Sequence, residues 1–197
     1  MALESYALIT LDNLKEVLGI TDNTQNSLLT NIINRATDII ESYCGNHRFA
    51  STTYTNQEYD GTGTCFINAR HYPITAMTAY EKNQGSAGTA DWLTLQNDYI
   101  KYIDDGHGPG QFYYQMGFVR GVRNYRFSYT AGYTTIPHDL EEACLEICVW
   151  IYKDRQNKGM QSESLGEYSY TKQLLKGNVI EDLGVDLVLE KYRTPVI

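Results

Sequence analysis

The sequence predicts an α+β fold: a small α-helical core, built from two N-terminal helices and C-terminal helices, with an inserted antiparallel β module. Three observations carry this. Apolar residues recur at helical spacing between residues 9 and 45. From about residue 50 the period changes to short alternating runs separated by glycine turns. After Pro137 the helical period returns. The order helix, helix, many strands, helix, arm, helix assigns 1–49 and 133–197 to the helical core, with a polar arm at 159–173, and 50–132 to the inserted module.

The first helix lies in ITLDNLKEVLGI. Thr10 suits the N-cap because its hydroxyl can accept an orphan amide proton of the first turn, and Gly19 suits the stop. Leu11, Leu14 and Leu18 share a face. The second helix is expected over TDNTQNSLLTNIINRATDIIESYCG. Leu28, Leu29, Ile32, Ile33, Ala36, Ile39, Ile40 and Tyr43 form its apolar side, and Asn31, Asn34, Arg35, Asp38 and Glu41 its wetter side, with Gly45 ending it.

TTYTNQEYDGTGTCFINA then reads as strand, turn, strand. YPITAMTAYEKN, DWLTL, DYIKYID and GQFYYQMG continue the set, separated by QGSAGTA and DGHGPG. NYRFSYT closes it, with Tyr125, Phe127 and Tyr129 on one face and Arg126, Ser128 and Thr130 on the other. The third helix starts at Pro137, whose missing N–H is an orphan there anyway. Asp139, Glu141 and Glu142 near its start, and Lys153, Arg155 and Lys158 near its end, both complement the helix dipole, and Gly159 stops it. A final short helix in IEDLGVDLVLEKYR ends before Pro195. Gly132 and Pro137 together return the chain from sheet to helix.

The 197 residues suffice for a hydrophobic core without disulfides or metal. A net charge of −8 argues against a dedicated nucleic-acid binder, whose footprint is basic. Seventeen tyrosines suit half-buried strands and interfaces equally. The four cysteines make no CxxC pair or secreted framework. Cys144 and Cys148 sit one turn apart on an apolar stripe, which favours packing over metal binding, and Cys44 with His47 is an equally weak metal hint. No basic-then-apolar leader and no membrane-length run is present, which points to folding in a reducing cytosol.

No GxxxxGK[ST], GxSxG or HExxH motif occurs. The glycine-rich DGHGPGQ opens no helix and reads as a turn, and His107 beside Asp104 and Asp105 lacks a further fixed ligand. No catalytic residue, cofactor site or metal site is therefore assigned. A carbohydrate-binding or hydrolytic module remains a rival, with Trp92, Tyr99, Tyr102, Tyr113 and Tyr114 as its platform.

Three segments, in this order and spacing, carry a resemblance. They are ITLDNLKEVLGITDNTQNSLLTNIINRATDIIESYCGNHRF (9–49), FSYTAGYTTIPHDLEEACLEICVWIYKDR (127–155), and SESLGEYSYT (162–171) followed by LEKYR (189–193). Together they resemble the head–tail connector (adaptor) proteins of tailed bacteriophages and prophages, and the strand-rich 50–126 departs from that pattern. The resemblance implies a structural virion protein without enzymatic activity or cofactor. It implies a homo-oligomeric ring, usually of twelve subunits, between the portal protein and a stopper or tail-completion protein at the head–tail junction. DNA would pass through the ring without sequence-specific binding, no membrane would be involved, and assembly would take place in the host bacterial cytoplasm, from a monomer or a ring. Another neck or tail-completion role is the nearest alternative. The polar arm is read as the segment that orders on assembly and grips the portal or a neighbouring subunit, through Ser162, Glu163, Ser164, Leu165, Gly166, Glu167, Tyr168, Ser169 and Tyr170, with Tyr192 and Arg193 of the closing helix; an ordinary flexible loop is the equal alternative.

Overall fold

The computed structural model describes residues 2–85, 89–95, 100–103, 110–156, 162–165, 168–171 and 179–193. They fall into two compact units, one within residues 1–46 and 136–193, the other spanning 47–135. Helices and antiparallel sheets are both present, so the expected α+β class is borne out.

In the first unit, α1 spans Leu11–Leu18. Thr10 caps it, its Oγ1 accepting from the Asn13 amide at 3.2 Å, and the Gly19 and Ile20 amides close its last turn on Glu16 and Lys15 carbonyls. The second helix, α2, spans Asn26–Tyr43 and so begins later than its pattern suggests. Asp22 accepts from the Thr24 amide at 2.8 Å, and this local turn competes with helix over 22–25. Leu29, Ile32, Ile33, Ala36 and Ile40 are buried, as the periodicity requires.

Two residues assigned to the wetter side of α2 are not wet: Asn34 and Glu41 are buried. The N-terminal segment lies over that side. The Asn34 side chain accepts from the Glu4 amide and donates to the Ala2 carbonyl, each at 3.2 Å, and Thr37 Oγ1 accepts from the Leu8 amide at 3.3 Å. The covering segment has no periodicity of its own to announce it.

The third helix, α3, spans His138–Gln156, and the Pro137 carbonyl accepts from the Leu140 and Glu141 amides. Its stripe of Leu140, Ala143, Cys144, Ile147, Cys148 and Ile151 is buried. The single closing helix expected from IEDLGVDLVLEKYR is instead broken into α4 (Val179–Leu183), α5 (Asp186–Leu189) and a 3-10 turn (Glu190–Tyr192). Gly184 interrupts it, its amide bonding to Glu181 while Val185 bonds back to Ile180, an arrangement that ends a helix. No described helix is long and apolar enough to cross a membrane. Lys158, Gly159 and Pro195 lie outside the described residues.

The second unit holds β1 (Thr52–Gly61), β2 (Phe66–Asn68), β3 (Ile74–Asn83), β4 (Trp92–Thr94), β5 (Ile100–Ile103), β6 (Gln111–Tyr114) and β7 (Gly121–Ala131). One antiparallel sheet has the order β1-β7-β3-β4 and another β2-β6-β5. Thus β1 and β2 follow each other in sequence but pair with different partners, β7 and β6. Tyr125, Phe127 and Tyr129 of β7 are fully buried. Ser128, on the opposite face, is buried too, because a bulge in β1 turns the Asn56 amide onto its Oγ at 3.0 Å. The abundance of tyrosine is explained in part by this core, where the Tyr59 and Tyr129 hydroxyls meet at 2.7 Å and Tyr59 also accepts from the Arg70 amide.

The chain enters and leaves this unit side by side. Tyr133 N–H donates to Phe49 O, Ser51 N–H to Tyr133 O, and Gly132 N–H to Pro73 O. That clamp is what the abrupt sheet-to-helix joint at 129–137 serves within the unit.

Candidate interaction surfaces

The polar arm contains a backbone hairpin. Strands β8 (Ser162–Leu165) and β9 (Tyr168–Thr171) pair antiparallel, bringing Ser162 opposite Thr171, Glu163 opposite Tyr170, Ser164 opposite Ser169 and Leu165 opposite Tyr168. Gly166 and Glu167 lie outside the described residues. The other two predicted contact residues belong to the C-terminal segment and hold it to the helices. Tyr192 Oη donates to Asp139 Oδ1 at 2.6 Å, beside the start of α3. Arg193 reaches Glu190 at 3.0 Å and lies 5.5 Å from the centre of the Tyr43 ring, whose hydroxyl donates to the same Glu190.

Sequence reasoning missed two further surfaces. The first is a groove of about 430 Å³ on the helical unit. Val17 of α1, Leu145, Val149 and Trp150 of α3 and Leu183 of α4 supply its apolar lining. Glu142 and Glu146 stand toward the N-terminal end of α3, and Lys153 toward its C-terminal end. These positions read as the polar flank of an amphipathic helix, and only the packing of α1 and α4 makes them a concavity.

The second surface is the loop between β6 and β7, residues 115–120, with the first residues of β7. Met116, Val119 and Val122 are 75, 58 and 82 % exposed. Arg120 and Arg123 are exposed among them, and the stretch contains no acidic residue. The loop is nonetheless firmly held. Phe118 between them is fully buried, its amide donating to Thr64 O and its carbonyl accepting from Gly63. Val119 N–H donates to Tyr125 Oη at 2.9 Å, and Asn124 bridges the Val119 carbonyl and the Gly61 amide. A sequence signal existed in MGFVRGVR, but as a strand pattern it gives no sign that its apolar residues face outward.

The described aromatic residues of the expected sugar platform do not share one face. Trp92 belongs to the four-stranded sheet and has the Arg126 guanidinium 4.3 Å from its ring centre. Tyr102 and Tyr113 alternate across the other sheet, opposite Phe112 and Lys101. Tyr114 packs on buried Phe118. Tyr99, and His107 with Asp104 and Asp105, lie outside the described residues.

Among the described residues no group of three or more His, Cys, Asp or Glu is placed to hold a metal ion. The buried thiols act as small hydrophobes: Cys44 Sγ donates weakly to Leu189 O and Cys148 Sγ to Ile32 O. Burial, helped by Glu190, pushes the Cys44 thiol up to about 12, and the contact with Cys144, together with burial, pushes Cys148 up as well. Cys65, only half-buried, is accordingly expected to be the thiol that a maleimide labels in the native protein, with Cys44, Cys144 and Cys148 labelled only after unfolding. Mass spectrometry of native and denatured samples counts the labels.

His47 is buried, stacked on Tyr72 at 4.3 Å between ring centres and edge-on to Phe49 at 4.6 Å. Burial, with His71 as a second cause, holds it well below its ordinary 6.5, at about 4. His71, stacked on Tyr54, is lowered too, by burial and then by Arg70. The unfolded chain therefore binds more protons than the folded one between about pH 6.5 and 4. Stability is intact above this window and lost as pH falls through it, by about 3 kcal/mol for His47. Urea titrations at pH 7.5 and 4.5 are expected to show that loss, and a His47→Phe variant a smaller one.

The head completion protein family matches residues 7–193, nearly the full length. No curated protein matches the chain. Solved structures share its fold, among them a chain from the neck of an empty GTA particle computed with C6 symmetry and one from the neck of a native GTA particle computed with C12 symmetry. The first has a TM-score of 0.60 at 12 % identity and the second 0.57 at 14 %, each match covering 100 % of this chain and 94 % of the other. The family expectation drawn from the two helical ends and the arm is thereby borne out. Because the match also runs through the strand-rich middle, which departs from the pattern those ends suggested, the whole described fold and not its helices alone belongs to the family of head completion proteins.

Proposed function

We propose that this chain is a subunit of a connector ring at the head–tail junction of a phage or phage-like particle, between the portal and a stopper or tail-completion protein, extending the DNA channel. The observation that carries the reading is the family match over residues 7–193, joined to a full-length likeness to neck chains whose particles were computed with six- and twelve-fold symmetry. In this reading residues 1–49 and 133–197 are the connector core and 50–132 an inserted module. The role is structural: the chain contributes surfaces, and its acidic balance of −8 suits a channel through which DNA slides without sticking. The hairpin residues 162–171 grip the portal or a neighbouring subunit, main-chain pairing giving an extended segment its affinity.

The test is to delete the gene from the element that encodes it and image the particles. DNA-filled or leaking heads and unattached tails are expected, and intact tailed particles would overturn the reading. Complementation with a chain lacking 162–171 then tests the arm: a folded protein that fails to join heads to tails supports the gripping role, and full rescue removes it.

A further inference from the structure

We propose that the loop between β6 and β7 of one copy of this chain seats in the α1–α3–α4 groove of a second copy, making the head-to-tail contact from which the ring is built. This rests on the ring reading above and adds to it the two surfaces that meet.

The loop is apolar and basic. Met116, Val119 and Val122 are exposed on it, with Arg120 and Arg123 each beside one of the valines. Arg120 has no charge partner among the described residues, and the Arg123 guanidinium has half-buried Glu58 at 3.8 Å while its amide donates to the Asp60 carboxylate at 2.7 Å. A mobile loop could fold its apolar side chains back, but this one is fixed by buried Phe118 and by bonds to Thr64, Tyr125 and Asn124. Apolar side chains held rigidly in water are an interaction surface with little ordering entropy left to lose. The groove is the complement: concave, lined by Val17, Leu145, Val149, Trp150 and Leu183, with Glu142 and Glu146 exposed along one side.

Charge selects the pairing. Two loops facing each other would bring four arginines together, and two grooves would bring four glutamates together against only two lysines, the Lys153 of each copy. Either symmetric dimer is penalised, while loop into groove joins opposite signs. A contact between unlike surfaces is heterologous, and heterologous contacts that close by rotation make rings. Five side chains entering one groove bury less than the roughly 1,000 Å² of a stable pair, so a single contact is weak, and closure, in which every subunit uses both surfaces, supplies the rest.

The experiment uses the full chain, a loop variant R120E/R123E and a groove variant E142K/E146K, in sedimentation velocity across a concentration series. Unchanged circular dichroism, and melting temperatures lowered by only about a few degrees, are expected for both, since all four residues are exposed and only the Arg123–Glu58 pair and the dipole contribution of Glu142 are lost. The parent is expected to self-associate, and each variant alone to do so about tenfold more weakly or worse. An equimolar mixture of the two is expected to recover association, because an acidic loop then meets a basic groove and a basic loop an acidic groove. Variants that associate like the parent, or a mixture that does not recover, overturn this contact and leave the ring reading standing. A parent that stays monomeric to its solubility limit also overturns it, and the gene-deletion test decides the ring reading separately. Duplex DNA bound by the parent and not by R120E/R123E, with association unaffected, would assign the loop to the channel and overturn the contact.

Discussion

Replacing Phe112 by alanine is expected to cost about 3–5 kcal/mol, a large share of the roughly 5–15 kcal/mol by which an ordinary domain is stable. Phe112 belongs to β6 in the three-stranded sheet, yet its ring stacks on Phe127 of the four-stranded sheet at 4.2 Å between centres and 16° between planes. It also meets Tyr59 and Tyr129 edge-on at 5.6 and 5.2 Å. All four rings are buried, so truncation removes a large apolar surface and leaves a void that the stiff neighbouring strands cannot close. It also removes aromatic contacts between the two sheets, which no backbone hydrogen bond replaces because β6 pairs only with β2 and β5. The size of the effect is measured by urea titration, and its cause by two companions. Phe112→Leu keeps most of the volume and is expected to cost under about 1.5 kcal/mol. Tyr113→Ala removes a larger ring one residue away on the opposite face, half-buried against Phe66, and is expected to cost about 1 kcal/mol or less. Equal losses for Phe112→Ala and Tyr113→Ala would show that the stack does not join the sheets.

The outlines of the fold were legible because local rules and tertiary packing agree there. Thr10 caps, Pro137 starts α3, and the Tyr125–Phe127–Tyr129 alternation faces the core, each for a reason contained in a few adjacent residues. The late start of α2 and the break in the closing helix have local causes, at Asp22 and Gly184, but the misread faces have partners distant in sequence. Asn34 reads as solvent-facing because its neighbours on α2 say nothing of Glu4 and Ala2, which satisfy it. Ser128 reads as outward because the bulge at Asn56 lies 72 residues upstream. The interaction surfaces divide the same way. The arm was visible as a polar, weakly patterned segment, but Val119 and Val122, three residues apart, fit no single strand face, and nothing adjacent says that both point outward. Their exposure depends on Phe118 taking the inward place, and that choice is made by Thr64 and Gly63. An amphipathic pattern identifies a face and leaves open what covers it.

Gly132→Ala is expected to be strongly destabilising, because it combines a strained dihedral with a clash against main chain. The backbone there has φ +103°, which L side chains rarely adopt, and holding alanine in it costs about 1–3 kcal/mol. A Cβ at this position would also lie 2.6 Å from the Ala50 carbonyl oxygen and 2.8 Å from both the Ala50 carbonyl carbon and the Phe49 carbonyl oxygen. These are main-chain atoms with no rotamer to change, so the entering and leaving segments must separate. Their separation weakens Tyr133 N–H to Phe49 O at 2.6 Å, Ser51 N–H to Tyr133 O at 3.0 Å and Gly132 N–H to Pro73 O at 2.9 Å, each worth about 0.5–1.5 kcal/mol. Gly63→Ala separates the two causes. Gly63 also has a positive φ, +78°, but its Cβ would meet nothing closer than the Arg120 side chain at 3.6 Å, so it carries the dihedral cost alone. A melting temperature for Gly132→Ala well below that of Gly63→Ala is the expected result, with hydrogen exchange accelerated at the Ser51 and Tyr133 amides. Equal melting temperatures would mean that the clamp yields without cost, and the tie between the chain's entry into the β unit and its exit would then lie in the strand pairing of β1 with β7.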